Sequence, residues 1–346
     1  MTLKVGIIGC GSIAEFRHAP EYAENPDAEI VAFYDPKTER AERLAKAYGG
    51  RVVGDYKAIL ADPSIDAISD CSTNEMHHVI TTQALESGKH VLCEKPMAVT
   101  LDGAREMLDA ARKSGKILML AHNQRLAPAH RKAREILQGG ELGRVITFAT
   151  TFGHKGPEYW SESKSKATWF FERQKSVFGV AGDLGMHKID LLRYLLDDEI
   201  EEVSAFVGTL DKKGLDGTPI GVSDNMVCML KTRRNTLGTL AVSWTYYGPE
   251  DNSTTLYCEH GIMKIYADPD FPIRVTNTAG EEALYKVGKI QTNESQSNSG
   301  VIDSFVSSIV NKTAPIVSGE DGYRGLQVVF AAIKASETGT TVKTGC

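Results

Sequence analysis

The chain has 346 residues, 42% of them hydrophobic and 24% charged, enough for two globular domains at the usual ~100–200 residues each. Its net charge is −6, from 45 acidic and 39 basic residues with no long basic run, which argues against nucleic acid and anionic membranes as main partners. The six cysteines (Cys10, Cys71, Cys93, Cys228, Cys258 and Cys346) include no C-x-x-C pair, no apolar run approaches membrane length, and no leader pattern precedes Leu3. A cytoplasmic protein with reduced thiols is expected.

Leu3–Ile8 predicts a short strand that leads into Gly9-Cys10-Gly11-Ser12-Ile13-Ala14. Glu29–Tyr34 predicts a second strand ending at Asp35, and Lys37–Tyr48 a helix with Ala41, Leu44, Ala45 and Tyr48 on one side. Strand Ala67–Cys71, helix Met76–Ser87, strand His90–Cys93, helix Leu101–Ser114 and strand Ile117–Ala121 follow. This alternation predicts an α/β domain over 1–122, a parallel sheet with helices on both faces. Its ligand site is expected in the crevice outside the carboxyl ends of the strands.

After His122 the pattern changes. Pro128–Gln138 reads as a helix, Val145–Phe152 as an alternating strand, and 153–179 as a long polar and aromatic loop segment. Strand-like runs then cover Val203–Leu210, Met226–Lys231, Leu237–Tyr246, Thr254–Glu259 and Ile262–Tyr266. Their adjacency predicts a second α/β domain over 123–346 with a large, mostly antiparallel open sheet. Helices near Val301–Asn311 and Tyr323–Glu337 close the chain, and Gln291–Ser299 is the most loop-like stretch.

Gly9-x-Gly11-x-x-Ala14 is a G-x-G-x-x-[G/A] fingerprint placed directly after a strand. The first glycine permits the tight turn, the second lets backbone approach a pyrophosphate, and the small third residue lets helix pack on strand. Gly9, Gly11, Ser12, Ile13 and Ala14 are therefore cofactor-binding candidates. Asp35 closes the next strand, where a carboxylate suits a ribose 2′-hydroxyl, so NAD is favoured over NADP. Lys37 and Arg40 stand just beyond and could offset part of that preference.

Gly179-Val-Ala-Gly-Asp183-Leu-Gly-Met-His187-Lys-Ile-Asp190 is a glycine-rich turn entering a helix marked by Leu184, Ile189, Leu192 and Leu195. Asp183 and His187 stand four residues apart and share a face. Asp183 could equally cap its helix, and Asp190 reads as structural, paired with Lys188 or Arg193. The Glu94-Lys95-Pro96 corner lies at the carboxyl end of a strand, where a lysine could hold a carbonyl or alkoxide oxygen and a cis proline could fix the turn.

The fingerprint, the Glu-Lys-Pro corner and the Gly-Asp-Leu-Gly-Met-His-x-x-Asp turn, in this order and spacing, resemble the Gfo/Idh/MocA family of oxidoreductases, and the resemblance covers almost the whole chain. Asn74-Glu75-Met76-His77, Gly88-Lys89-His90-Val91 and Asn123-Gln124-Arg125 are similar to further family patterns, with Thr73 standing where members usually carry proline. The resemblance implies a Rossmann domain, a second domain whose open sheet makes a homodimer or homotetramer, and hydride transfer between NAD(P) and a sugar or cyclitol carbinol. It adds Ser72, Thr73, Asn74, His77, Glu94 and Lys95 to the cofactor-binding candidates. Lys95, Asp183 and His187 fall on catalytic positions: His187 as general base, Lys95 stabilising charge on oxygen, and Asp183 orienting the substrate, His187 or Lys95.

Arg125 could reach a substrate hydroxyl or make an interdomain salt bridge. Trp160, Trp169, Tyr246 and Tyr247 could floor a sugar ring or belong to the core, with Trp169 and Tyr246 carried as substrate-binding candidates. His154 and Arg173 are weaker hydrogen-bonding candidates. The remaining histidines show no metal-ligand spacing, and no metal is expected. An NAD-requiring glycosidase of the same family and a non-catalytic cofactor-binding sensor are the alternative functions.

Overall fold

The computed structural model describes residues 2–288 and 298–345. It divides into two units, Met1–Asn123 with Gln291–Tyr323, and Gln124–Ile290 with Arg324–Cys346. The sequence reading leaves 298–323 in the second domain; the structure places those residues with the first unit. Leu120 N–H donates to the Val317 carbonyl at 3.1 Å, and Met119 bridges Ser318. The loop read over Gln291–Ser299 lies, except for its last two residues, outside the described residues.

The first unit holds β1 (Leu3–Ile8), β2 (Ala28–Tyr34), β3 (Arg51–Val52), β4 (Ala67–Asp70), β5 (His90–Cys93) and β6 (Leu118–Leu120), all parallel in the order β3-β2-β1-β4-β5-β6. Val5, Ile7, Ile8, Ile68, Val91 and Leu92 are buried, as strands covered on both faces require. Strand order reverses between β1 and β4, so their carboxyl ends open the crevice of a doubly wound sheet.

The second unit holds β7 (Val145–Gly153), β8 (Ile200–Gly208), β9 (Asn225–Thr232), β10 (Leu237–Ser243), β11 (Thr254–Cys258), β12 (Gly261–Ile265), β13 (Ile273–Asn277), β14 (Glu282–Tyr285) and β15 (Val342–Lys343). Their order is β14-β13-β12-β11-β7-β10-β9-β8-β15, antiparallel except at the β7–β10 pair. The inner face carries Phe148, Phe152, Met226, Cys228, Leu240, Val242 and Leu256. The alternating outer positions pair across the strands as Phe206–Val227–Ala241–Thr151 and Ser204–Met229–Thr239–Ala149. Phe206 is 84% and Met229 65% exposed there.

Among the described residues no helix is long and apolar enough to cross a membrane. Cys10, Cys71, Cys93, Cys228 and Cys258 are buried free thiols.

Candidate active site

The glycine turn after β1 is shaped by contact with β4. Gly9 has φ +89°, and a Cβ there would stand 2.4 Å from the Cys71 carbonyl oxygen, so both conformation and space demand glycine. Around Gly11 nothing lies within 4 Å of where a Cβ would be. Backbone is therefore open to a close-packed group at that point, ahead of the helical winding that runs from Ser12 to Glu24. Asp35, at the end of β2, is buried and accepts the Cys10 N–H at 2.7 Å and the Lys37 N–H at 2.8 Å, with Arg40 Nη1 at 3.8 Å. Its carboxylate is thus oriented by backbone from two sides. This end of the sheet fits a dinucleotide: an open glycine approach, a following helix and a fixed acidic residue.

Four of the other cofactor-binding candidates lie in the turn and helix start after β4, where Asp70 accepts from the Ser72 N–H and hydroxyl at 3.2 and 2.6 Å. The Thr73 hydroxyl donates to Glu75 at 2.8 Å, and buried Asn74 begins the helix Asn74–Glu86. His77 has its Nδ1 2.7 Å from the Pro96 carbonyl oxygen and its Nε2 3.0 Å from that of Ser72. Both ring nitrogens lie against backbone carbonyls, so His77 ties this turn to the Pro96 corner.

That corner follows β5, and its Lys95–Pro96 bond is cis. Glu94 precedes that bond. Its side chain turns inward, where His18 Nε2 donates to it at 3.1 Å and Arg17 stands at 3.7 Å. Burial pushes the carboxyl up, but the His18 hydrogen bond and the Arg17 and Lys95 charges outweigh it and hold it at about 2. Glu94 Oε2 accepts the Lys95 N–H at 3.2 Å. Glu94 therefore supports the backbone of Lys95.

In the second unit, the segment Ala181–Gly185 is wound as a π-turn that runs into the helix Met186–Leu196. Local π-winding is concentrated at functional sites, where it re-aims side chains. It starts from Gly179, at φ +57°, where a Cβ would fall 2.2 Å from the Ser223 carbonyl oxygen. The buried carboxylate of Asp183 accepts the indole N–H of the fully buried Trp244 at 3.0 Å. His187 stands one turn on, with the Phe152 ring at 6.0 Å.

From Phe152 the aromatic contacts continue to His154 at 5.8 Å, Trp160 at 6.1 Å, Phe170 at 4.9 Å and back to Trp244 at 6.4 Å. The circuit begins at His187 and ends on Asp183. Within it His154 is oriented, its Nδ1 accepting the Gly156 N–H at 3.0 Å. Trp169 joins from outside by stacking on Phe170 at 3.9 Å, and Tyr246 lies across Gly153. Sequence reading missed Trp244, Phe152 and Phe170. The sole signal for Trp244 was an aromatic residue at the end of a strand-like run.

Two buried cations bolt the His187 helix in place. Arg125 Nε and Nη2 each donate to Asp190 at 2.7 Å, with the Tyr194 ring 5.5 Å from the guanidinium. Arg125 thus makes a bidentate ion pair within its own unit, and Asp190 takes Arg125 as its partner where the sequence suggested Lys188 or Arg193, the latter holding Glu199. Lys188 is fully buried and donates to the Asn252 carbonyl at 2.9 Å and the Thr254 hydroxyl at 3.3 Å. Burial lowers it to about 7, against the charges of Asp251 and Glu250.

Comparison with known proteins agrees with this layout. Residues 3–122 match the model of an oxidoreductase family with an NAD-binding Rossmann fold, and residues 130–264 match the GFO/IDH/MocA C-terminal domain. The D-glucoside 3-dehydrogenase of Escherichia coli (strain K12) is 30% identical, over 99% of this chain and 97% of its own. The myo-inositol 2-dehydrogenase of Thermotoga maritima is 24% identical over 99% and 98%. A levoglucosan dehydrogenase solved in complex with NADH and levoglucosan has the same fold, with a TM-score of 0.88 over 99% of this chain and 100% of that one at 23% identity. The fingerprint on an open glycine, the ordered six-stranded sheet and the two matching family models together make this chain an NAD-binding oxidoreductase of the Gfo/Idh/MocA family.

Proposed function

We propose that the protein is an NAD-dependent dehydrogenase that oxidises or forms a secondary hydroxyl on a pyranose or cyclitol. The observation that carries this reading is the aromatic circuit around Asp183 and His187. A sugar ring offers apolar C–H faces and polar edges, so aromatic walls closing on one carboxylate and one imidazole match it in both respects. The names of the relatives, a glucoside dehydrogenase and an inositol dehydrogenase, span the same class.

The bound dinucleotide supplies the hydride acceptor; the chain's own residues handle the proton and the charge. His187 takes the hydroxyl proton as general base, Asp183 orients it or the substrate, and Lys95 stabilises negative charge on the carbinol oxygen. Trp244 is a positioning residue, acting through Asp183. Asp35, with both oxygens already ordered by backbone, favours a free ribose 2′-hydroxyl over a 2′-phosphate.

The outer sheet face, with Phe206, Val227 and Met229 exposed, is apolar enough to require a cover, which supports a homo-oligomer built on that sheet. The buried free thiols suit a cytoplasmic setting. The test is the absorbance of reduced nicotinamide across inositols, aldoses and their glycosides, with NAD and NADP in parallel. One polyol should give a signal with NAD, abolished by Lys95→Met while NADH binding persists. A variant as active as wild type, or no polyol oxidised at all, overturns the reading.

A further inference from the structure

Outside the aromatic circuit, and contiguous with it through the turn Pro157–Trp160, the second unit presents two tyrosines that the reaction does not use. Tyr159 is 57% and Tyr247 53% exposed, yet neither ring is loose. The ammonium of Lys212 lies 5.6 Å from the Tyr159 ring centre and 4.7 Å from that of Tyr247, a shared cation under two aromatic faces. Lys212 is itself buried and donates to Glu158 and to the Lys155 carbonyl. The Tyr247 hydroxyl donates to Asp211, which fixes the ring edge.

The loop that brings Lys212 and Asp211 there is also clamped. Buried Asp224 accepts the N–H groups of Leu210, Asp211 and Lys212 at 2.7, 2.8 and 2.7 Å. Three bonds to one carboxylate hold a surface loop far more tightly than turn propensity does. Two tyrosines are therefore held in fixed positions with surface to spare, and large rigid aromatics of that kind bind rings at small entropic cost.

The adjoining turn carries an independent sign of a polar ligand. Glu158 Oε2 and Trp160 Nε1 are out of solvent and make no hydrogen bond among the described residues. One is an acceptor and the other a donor, so the turn holds both kinds of polar group that a ligand bearing hydroxyls would satisfy.

We propose that Tyr159, Tyr247 and the Glu158–Trp160 turn form a second subsite that takes a further ring attached to the reacting sugar. The substrate is then a glycoside or disaccharide rather than a free monosaccharide or inositol. The proposal rests on the reading of Asp183 and His187 as the first subsite.

The test compares, for each sugar unit, kcat/KM on its methyl glycoside, its phenyl glycoside and a disaccharide containing it. Wild type should favour the two-ring substrates, and Tyr247→Ala or Tyr159→Ala should reduce the ratio of two-ring to methyl glycoside by about tenfold. The ratio is insensitive to loss of folded protein, and Tyr247→Phe, which keeps the ring, should retain most of it. A wild-type ratio near one, or a ratio unmoved in both alanine variants, overturns the subsite. Saturation-transfer NMR with phenyl glycosides and the NADH-loaded protein separates this from the reaction itself. Aglycone protons that saturate in wild type and not in Tyr247→Ala uphold the subsite even if no sugar is oxidised. Saturation of the sugar ring alone overturns it.

Discussion

The Arg125–Asp190 pair gives the sharpest test of how the His187 helix is held. Both side chains are nearly out of solvent, at 8% and 1% exposure, and both donated bonds are 2.7 Å long. Asp190→Ala leaves a guanidinium buried with its partner gone, and breaking a buried pair from one side costs about 3–5 kcal/mol. Asp190→Asn keeps the shape and one acceptor, so about 1–3 kcal/mol is expected. Replacing both partners, Arg125→Met with Asp190→Leu, removes the stranded charge and should recover most of the loss, because a well-packed apolar pair is often as stable as the ion pair it replaces. Urea unfolding followed by tryptophan fluorescence reads the right part of the molecule, since Trp160, Trp169 and Trp244 all belong to the second unit. A loss below about 1 kcal/mol in Asp190→Ala would refute the buried-bolt account. So would an Arg125→Met variant of wild-type stability with a raised KM for sugar, which would return Arg125 to the substrate.

Two other variants probe the same helix. Trp244→Phe keeps an aromatic in the core but removes the N–H held by Asp183; it should lose about 1.5–3 kcal/mol of stability and lower kcat at unchanged NADH affinity, and a wild-type kcat would detach Asp183 from the reaction. Lys188 gives its proton up near about 7 in the fold and near 10.5 when unfolded. Between those values the unfolded chain binds more protons, so stability should rise with pH. Glu250, raised by burial from 4.5 to about 7, works in the opposite sense below neutrality. The urea midpoint of wild type minus that of Lys188→Met should therefore increase between about pH 7 and pH 9; a difference that does not change with pH would contradict it.

What the sequence made legible was whatever is written locally. The fingerprint announces itself within six consecutive residues, Gly9 to Ala14, because Gly9, Gly11 and Ala14 each have their own steric reason to be there. Strands β1, β4 and β5 are near-continuous apolar runs, and Asp183 with His187 is a one-turn spacing. Pairings across long separations left no such trace. Trp244 and Asp183 lie 61 positions apart and Arg125 and Asp190 lie 65 apart, joined only by the folding of β7 against β10 and of one helix beside another. The parallel β7–β10 pair was hidden for the same reason, since neighbouring strand-like runs suggest hairpins. β3 has two residues, and β13 and β14 have five and four with charged or exposed positions among them, too little alternation to separate from loop. The backbone contacts of His77 and Glu94 were equally hidden, because a motif records that a residue is needed, not what it touches.

The closing of β6 bears on the order in which this chain is made. Strands β1 to β6 are complete by Leu120, yet the Leu120 N–H waits for the carbonyl of Val317, and Glu21 waits for Ser299, whose N–H and hydroxyl reach it at 2.7 and 2.9 Å. The first third to leave the ribosome thus waits, with an open sheet edge and a buried carboxylate unmatched, while strands β7 to β14 are synthesised. A fragment ending at Asn123 would inherit both defects, so the nucleotide-binding half is better isolated by joining it to residues 298–323 than by cutting the chain once.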